Sequence, residues 1–360
     1  MVTIRDVAAH AGVGAGTVSR VLNDSSRVSA ATRTRVQHAI DTLGYRPNPL
    51  ARGLSRGRCQ TIGVLVASFT EASAVERLRG VVAALDGSLY DLVLFNVESP
   101  MHRDEHVAAL NRQRADGLLV MSLPLPPEQL DQLKSTGMAI VLIDGTGPGV
   151  TSVVIDDERG GRLATRHLVD LGHQRVGFIG DAPANPFGFT SSARRERGYR
   201  AVLMEAGLDP EDAGVRYGTH DREVACDLAT ELLDRAHPPT AIFCCSDVQA
   251  LGVMEAARRL GLRIPEDLSV VGFDDVETSA FLGLTTVRQP LFRSGQLGAE
   301  LLLRALGADD EAPTEPTVHE LPIDLVVRGT TMPSGPTALV ADPAAGQHPP
   351  DTSRRSNQLG

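Results

Sequence analysis

Arg20 follows Thr17 and Ser19 in the run Thr17-x-Ser19-Arg20, directly behind a Gly12-Val13 turn, and an arginine-rich segment comes soon after it. Two hydroxyls and a guanidinium fork carried by short helices form a compact device for entering DNA grooves. A second set of polar residues stands much later, each at or just after a short β-rich run. Asp144 follows Ile140–Ile143, Ser246 and Asp247 follow Ile242–Cys245, and Asp274 and Asp275 follow Val270–Phe273. Arg197 adds a second fork. Carboxylates and an arginine suit a polyhydroxylated ligand, whose vicinal hydroxyls donate to Asp and accept from Arg.

Catalytic chemistry finds no support. The chain has no nucleophile elbow, HExxH, P-loop or paired acid–base constellation, so no catalytic residue and no cofactor is expected. Gly12-x-Gly14-x-Gly16 resembles a phosphate loop only superficially, because such a loop follows a strand and Thr3–Ala11 has helical spacing. The four cysteines (59, 226, 244 and 245) have neither zinc-finger nor CxxC spacing, which argues against metal sites and disulfides. A sugar-processing enzyme would need a catalytic constellation, and a solute-capturing protein would need an export signal. Neither would explain a basic head.

Charge separates that head from the body. Residues 1–58 hold nine arginines against three aspartates, whereas the rest of the chain carries 26 basic and 42 acidic residues. One end seeks phosphate and the other repels it. With 360 residues and 42% apolar composition the chain can bury a large core. It shows no signal-like N-terminus and no apolar run of membrane-spanning length, so a cytoplasmic protein without membrane contact is expected.

Three helices must position the groove-entering residues. Thr3 is a suitable N-cap for a helix with Ile4, Val7, Ala8 and Ala11 on one face, ended by Gly12. Val18, Val21 and Leu22 define a second helix from about Ala15. Val36, Ala39, Ile40 and Leu43 define a third between Ser29 and Gly44. Pro49, Leu50, Ala51 and Leu54 then have the spacing of a short helix that is not stable alone. From residue 59 to 330, β-rich runs alternate with amphipathic stretches, the pattern of doubly wound parallel sheets. The strand candidates are Ile62–Ala67, Asp91–Val97, Gly117–Met121, Ile140–Asp144, Val153–Asp156, Arg175–Gly180, Ala241–Cys245, Ser269–Phe273 and Leu321–Val327. The helix candidates are Ala72–Leu85, Arg159–Leu171, Ala193–Ala206, Glu223–Arg235 and Gln249–Leu260. Two such units in series imply two lobes, with ligands binding beyond the carboxyl ends of the strands. Residues 331–360 are rich in Pro, Gly, Ser and Ala and are expected to be a disordered tail without a coiled coil.

The ordered set of motifs resembles the LacI/GalR (lactose-repressor-like) family of bacterial transcription regulators. The matching runs include Thr3-Ile4-x-Asp6-Val7-Ala8, Thr17-Val18-Ser19-Arg20-Val21-Leu22-Asn23, Gly44-Tyr45-x-Pro47-Asn48 and Ala51-Arg52-x-Leu54. Leu171-Gly172-His173, Arg197-Gly198-Tyr199 and Pro265-Glu266-Asp267-Leu268 with the run through Asp275 extend the match along the chain. The resemblance implies an α/β protein: a three-helix helix-turn-helix head (1–46), a hinge helix (47–58) and a two-lobed periplasmic-binding-protein-like body (59–330). It implies a repressor that binds a pseudo-palindromic operator as a homodimer under the control of a small polar effector.

By that resemblance Ala15, Gly16 and Arg20 face base edges, with a single methyl contact from Ala15 and Arg20 forking onto guanine O6 and N7. Thr3, Thr17, Ser19, Asn23, Tyr45, Asn48 and Arg52 complete the DNA-binding set. Leu54 wedges the central base step in the minor groove. Ser68, Asp144, Arg197, His220, Ser246, Asp247 and Asp274 are the expected effector residues. Three departures stand out. Gly14 replaces a serine cap, Ser68–Ser73 replaces an aromatic segment, and His220 stands where relatives carry a stacking aromatic. A sugar is the leading effector, with a nucleoside or another small polar metabolite left open.

Overall fold

The computed structural model describes residues 2–22, 25–45, 59–112, 115–307 and 315–334. The expected hinge at 47–58 lies outside the described residues, as does the tail from residue 335. Three helices open the chain: α1 (Ile4–Ala11), α2 (Ala15–Leu22) and α3 (Ala30–Leu43). Thr3 caps α1 in a capping box with Asp6: the Asp6 carboxylate accepts from the Thr3 N–H at 2.7 Å, and Thr3 Oγ1 accepts from the Asp6 N–H at 3.4 Å. Gly12 and Gly44 end α1 and α3 in left-handed conformation, as their place in the sequence requires. Val7, Val18, Val21, Val36 and Ile40 close one small core.

The chain divides into two compact units. Unit 1 comprises residues 1–155, 186–189 and 290–322; unit 2 comprises 156–185, 190–289 and 323–360. Sheet 1 is built from β1 (Thr61–Ala67), β2 (Asp91–Val97), β3 (Gly117–Met121), β4 (Ala139–Ile143), β5 (Thr151–Val154) and β11 (Val318–Glu320), in the order β11-β5-β4-β3-β1-β2. All its pairings are parallel. Sheet 2 is built from β6 (Val176–Asp181), β7 (Val215–Gly218), β8 (Ala241–Cys244), β9 (Ser269–Asp274), β10 (Thr285–Arg288) and β12 (Asp324–Val326), in the order β12-β10-β9-β8-β6-β7. Here β12 runs antiparallel to β10 while the rest are parallel.

Both sheets carry apolar side chains on two faces, as strands covered on both sides must. In sheet 1, Val64, Leu119 and Val141 pack with Ala299 and Leu302 of helix Leu291–Ala305, and Leu65, Leu118 and Leu142 serve the opposite core. The doubly wound parallel expectation is met, but the two units do not simply follow one another. The strand expected over Leu321–Val327 is the shorter β12, and it is preceded by β11, a strand the sequence did not suggest, which joins the other sheet with Pro322 at the change of unit.

The same device holds a helix pair in each unit. A Cβ on Gly80 of helix Ala72–Leu85 would lie 2.0 Å from the Phe292 carbonyl oxygen, and one on Gly295 would lie 1.9 Å from that of Arg77. In unit 2, a Cβ on Gly161 of helix Asp157–Asp170 would lie 2.0 Å from the Arg195 oxygen, and one on Gly198 of helix Ser191–Glu205 would lie 2.1 Å from the Glu158 oxygen. Only hydrogen fits where the backbones come this close. Gly198→Ala must part the helices, so a cost of about 3 kcal/mol is expected, lowering the melting temperature by roughly 6–12 °C. Calorimetry on the full chain measures it; an unchanged melting temperature would show that the crossing has slack.

Candidate functional site

The DNA-facing candidates follow from the period of α2. Val18 and Val21 are buried, and Ala15 and Leu22 pack against the same core. The opposite side therefore shows Gly16 and Arg20, both exposed, with Thr17 and Ser19 half-buried beside them. Ala15, expected to offer its methyl to a base, is half-buried and packs against the edge of the head core, at i−3 from Val18 and i−7 from Leu22. Tyr45 is half-buried and packs against the same core. Asn23, Asn48, Arg52 and Leu54 fall outside the described residues, and with them the expected wedge.

In unit 1, three strands end in polar residues with left-handed backbone: Ser68 after β1 (φ 50°), Ser122 after β3 (φ 48°) and Asp144 after β4 (φ 61°). The Ser122 hydroxyl donates to the Asp144 carboxylate at 3.0 Å, and the buried Arg77 guanidinium approaches the same oxygen at 3.1 Å. Ser68 is exposed.

Unit 2 ends its strands in a richer group. The Asp181 carboxylate at the end of β6 accepts from Gln249 Nε2 at 3.0 Å and meets His220 Nδ1 at 3.1 Å. Burial pushes the Asp181 carboxyl up, but the His220 hydrogen bond and the charges of His220 and Arg195 outweigh it and hold it below the usual range. Asp274 ends β9 with φ 124° and accepts from the Gln289 amide, and Asp275 follows with φ 58°. Arg195 donates to Asp157 at 2.8 Å and to the Cys245 carbonyl at 2.6 Å, with its guanidinium 3.6 Å from the Phe273 ring centre.

The expected fork at Arg197 is not there. Its side chain is 58% exposed and pairs with Glu158 at 3.3 Å on the surface. Ser192, Arg195, Gly198, Tyr199 and Val202 form the buried face of helix Ser191–Glu205, and Arg197 falls outside that stripe. Two further candidates are buried and turned to internal tasks. Ser246 caps helix Asp247–Leu260 by accepting from the Gln249 N–H at 3.2 Å. Asp247 is fully buried and accepts from the Val276 N–H at 3.1 Å and from the Ser279 and Thr286 hydroxyls at 2.6 Å each. Sequence reasoning missed Arg195, Asp181, Gln249, Gln289, Ser122 and Arg77. The buried stripe through Arg195 was the available signal.

All four cysteines are free thiols, and among the described residues no His, Cys, Asp or Glu cluster is placed to hold a metal ion. Nor is any described helix long and apolar enough to cross a membrane.

A helix-turn-helix head joined to two parallel-sheet units with polar strand ends defines a DNA-binding regulator with a ligand-binding body. Residues 3–48 match the model of bacterial regulatory proteins of the lacI family, and residues 165–331 match the periplasmic binding protein-like domain. The transcriptional repressor PurR of Haemophilus influenzae is 34% identical over 333 residues, 91% of this chain and 98% of that protein. Among solved structures, the lac repressor dimer bound to operator and the anti-inducer ONPF is 30% identical with TM-score 0.78, over 92% of this chain and 99% of that one. The complex of the regulator CelR with cellobiose is 34% identical with TM-score 0.67, over 92% of this chain and all of that one. The chain belongs to the lacI family of bacterial regulatory proteins and is a DNA-binding transcriptional repressor.

Proposed function

We propose that polar strand ends in the body bind an uncharged, polyhydroxylated effector, a sugar, and that its binding sets the affinity of a homodimer for a pseudo-palindromic operator. One observation carries the location. Six described non-glycine residues have left-handed or otherwise positive φ, and five of them (Ser68, Ser122, Asp144, Asp274 and Asp275) sit at carboxyl ends of strands. Backbone held in costly conformations collects where ligands are gripped.

Charge supports the class of ligand. Arg77 is engaged by Asp144 and Arg195 by Asp157, so a phosphate or carboxylate would meet further carboxylates rather than an uncommitted cation. Hydroxyl groups, by contrast, can donate to Asp181 and Asp274. The cellobiose held by CelR and the ribose held by a lacI-family regulator of Enterococcus faecium agree with a sugar.

A melting screen of the full chain against mono- and disaccharides, with nucleosides in parallel, tests this. A sugar at about a hundred times its dissociation constant stabilises by roughly 2.7 kcal/mol, a shift of several degrees. His220→Ala and Asp181→Asn should lose the shift, and Arg197→Ala should keep it. A shift retained by the first two variants, or a response to nucleosides alone, would overturn the reading.

A further inference from the structure

The chain enters β1 through Cys59 and Gln60, and a single carboxylate holds both. Asp116 Oδ1 accepts the Cys59 N–H at 3.0 Å and Oδ2 accepts the Gln60 N–H at 2.6 Å. Gln60 is the one described non-glycine residue with positive φ (53°) that lies away from the carboxyl ends of the strands. It begins a strand instead, at the point where the body receives the segment from the DNA-binding head. A long, unbranched side chain gains nothing locally from left-handed backbone, so the conformation is imposed from outside. Asp116 supplies that constraint.

Asp116 is itself fixed. Its N–H donates to the Thr61 carbonyl at 2.9 Å, its carbonyl accepts from Ala139, and it leads directly into β3. Every residue of β3 is buried between β1 and β4, so the strand has no room to shift alone. About 20 Å further on, at the usual rise per residue, β3 ends at Ser122, whose hydroxyl holds Asp144.

We propose that Asp116 is the positioning residue of operator binding: it fixes the direction in which the body receives the head, through the paired Cys59 and Gln60 amides. The proposal rests on the DNA-binding assignment and goes beyond it. A dimer can seat two heads on one operator only if each leaves its body on a defined course, whereas loose electrostatic contact with any duplex needs no such course.

The test uses the full chain. Wild-type protein enriches an operator from a random duplex pool, and gel shifts then compare Asp116→Ala and Asp116→Asn on that operator and on a scrambled duplex at fixed salt. Asp116→Ala should lose at least tenfold in operator affinity while scrambled-duplex affinity stays within twofold and the melting temperature holds. Asp116→Asn, with one oxygen left to accept one amide, should fall between it and wild type. Exchange of the Cys59 and Gln60 amide protons should quicken in both variants. Operator affinity within twofold of wild type in both would overturn the proposal. Parallel losses on both duplexes with a lowered melting temperature would also overturn it, making Asp116 a stability residue. Failure of wild-type protein to enrich any operator would remove the DNA-binding assignment itself.

Discussion

Arg20→Ala should lower operator affinity by a factor of about a hundred or more and leave binding to random duplex nearly unchanged. Arg20 is exposed on the side of α2 that the head core leaves open, and its neighbour on that face, Gly16, has no side chain. Ala15 is half-buried against the core and offers at most a methyl. On the proposed reading, base recognition by α2 rests mainly on one fork per head. Each bidentate contact to guanine is worth about 1–3 kcal/mol of discrimination, and the proposed dimer makes two of them. Random duplex is held by phosphate contacts, which eight other arginines in residues 1–58 can still supply. Equilibrium gel shifts at fixed salt on an enriched operator and a scrambled duplex decide it. Equal losses on the two would mean that Arg20 serves phosphate.

Asp247→Ala should cost about 3 kcal/mol or more of stability and open the loop after β9. Removing the carboxylate strands the Val276 N–H and the Ser279 and Thr286 hydroxyls in a dry interior, and each buried donor left unpaired costs about 1–3 kcal/mol. The same group has a pH signature. Burial, and then the charge of Asp274, raise the Asp247 carboxyl above its ordinary range, against the pull of its three donors. The folded chain then keeps a proton that the unfolded chain releases. This contribution is complete below the unfolded carboxylate value and fades as pH rises toward the folded value. Denaturant titrations of wild type and Asp247→Ala from pH 4 to pH 8 should therefore differ in slope. Identical slopes would show that the carboxyl titrates normally.

What the sequence made legible was whatever repeats with a local period. The head was readable to the residue at its caps, because Thr3, Gly12, Ser29 and Gly44 have strong local reasons to be there. Long buried strands such as β1 and β3 announced themselves by continuous apolar runs. Two short strands did not: β7 and β10 have four residues each, and β10 reads Thr-Thr-Val-Arg, too polar to stand out, whereas the equally short but apolar β8 did. Helix Leu291–Ala305 was missed although Leu291, Ala299 and Leu302 are buried along it. The resemblance puts Arg197 in the effector set, yet a turn of 3.6 residues puts Arg195, not Arg197, with Tyr199 and Val202. Helical period here tells more than a matching motif. Burial of Asp247 depends on Thr286 and Ser279, partners about 30 to 40 residues away, and no local pattern carries that information.

The splitting of the last strands between two sheets has a consequence for how the protein is made. Unit 1 closes its core with Ala299, Leu302 and Leu306 and its sheet with β11, all synthesised after β6 through β10 of unit 2. Unit 2 in turn awaits β12. The head draws its core from residues 4–45 alone. On the ribosome, the head thus precedes any means of controlling it: its core is complete once about an eighth of these 360 residues has been made, while neither body unit can become cooperative until β11 and β12 have followed. A chain released early would carry a head that no effector can govern.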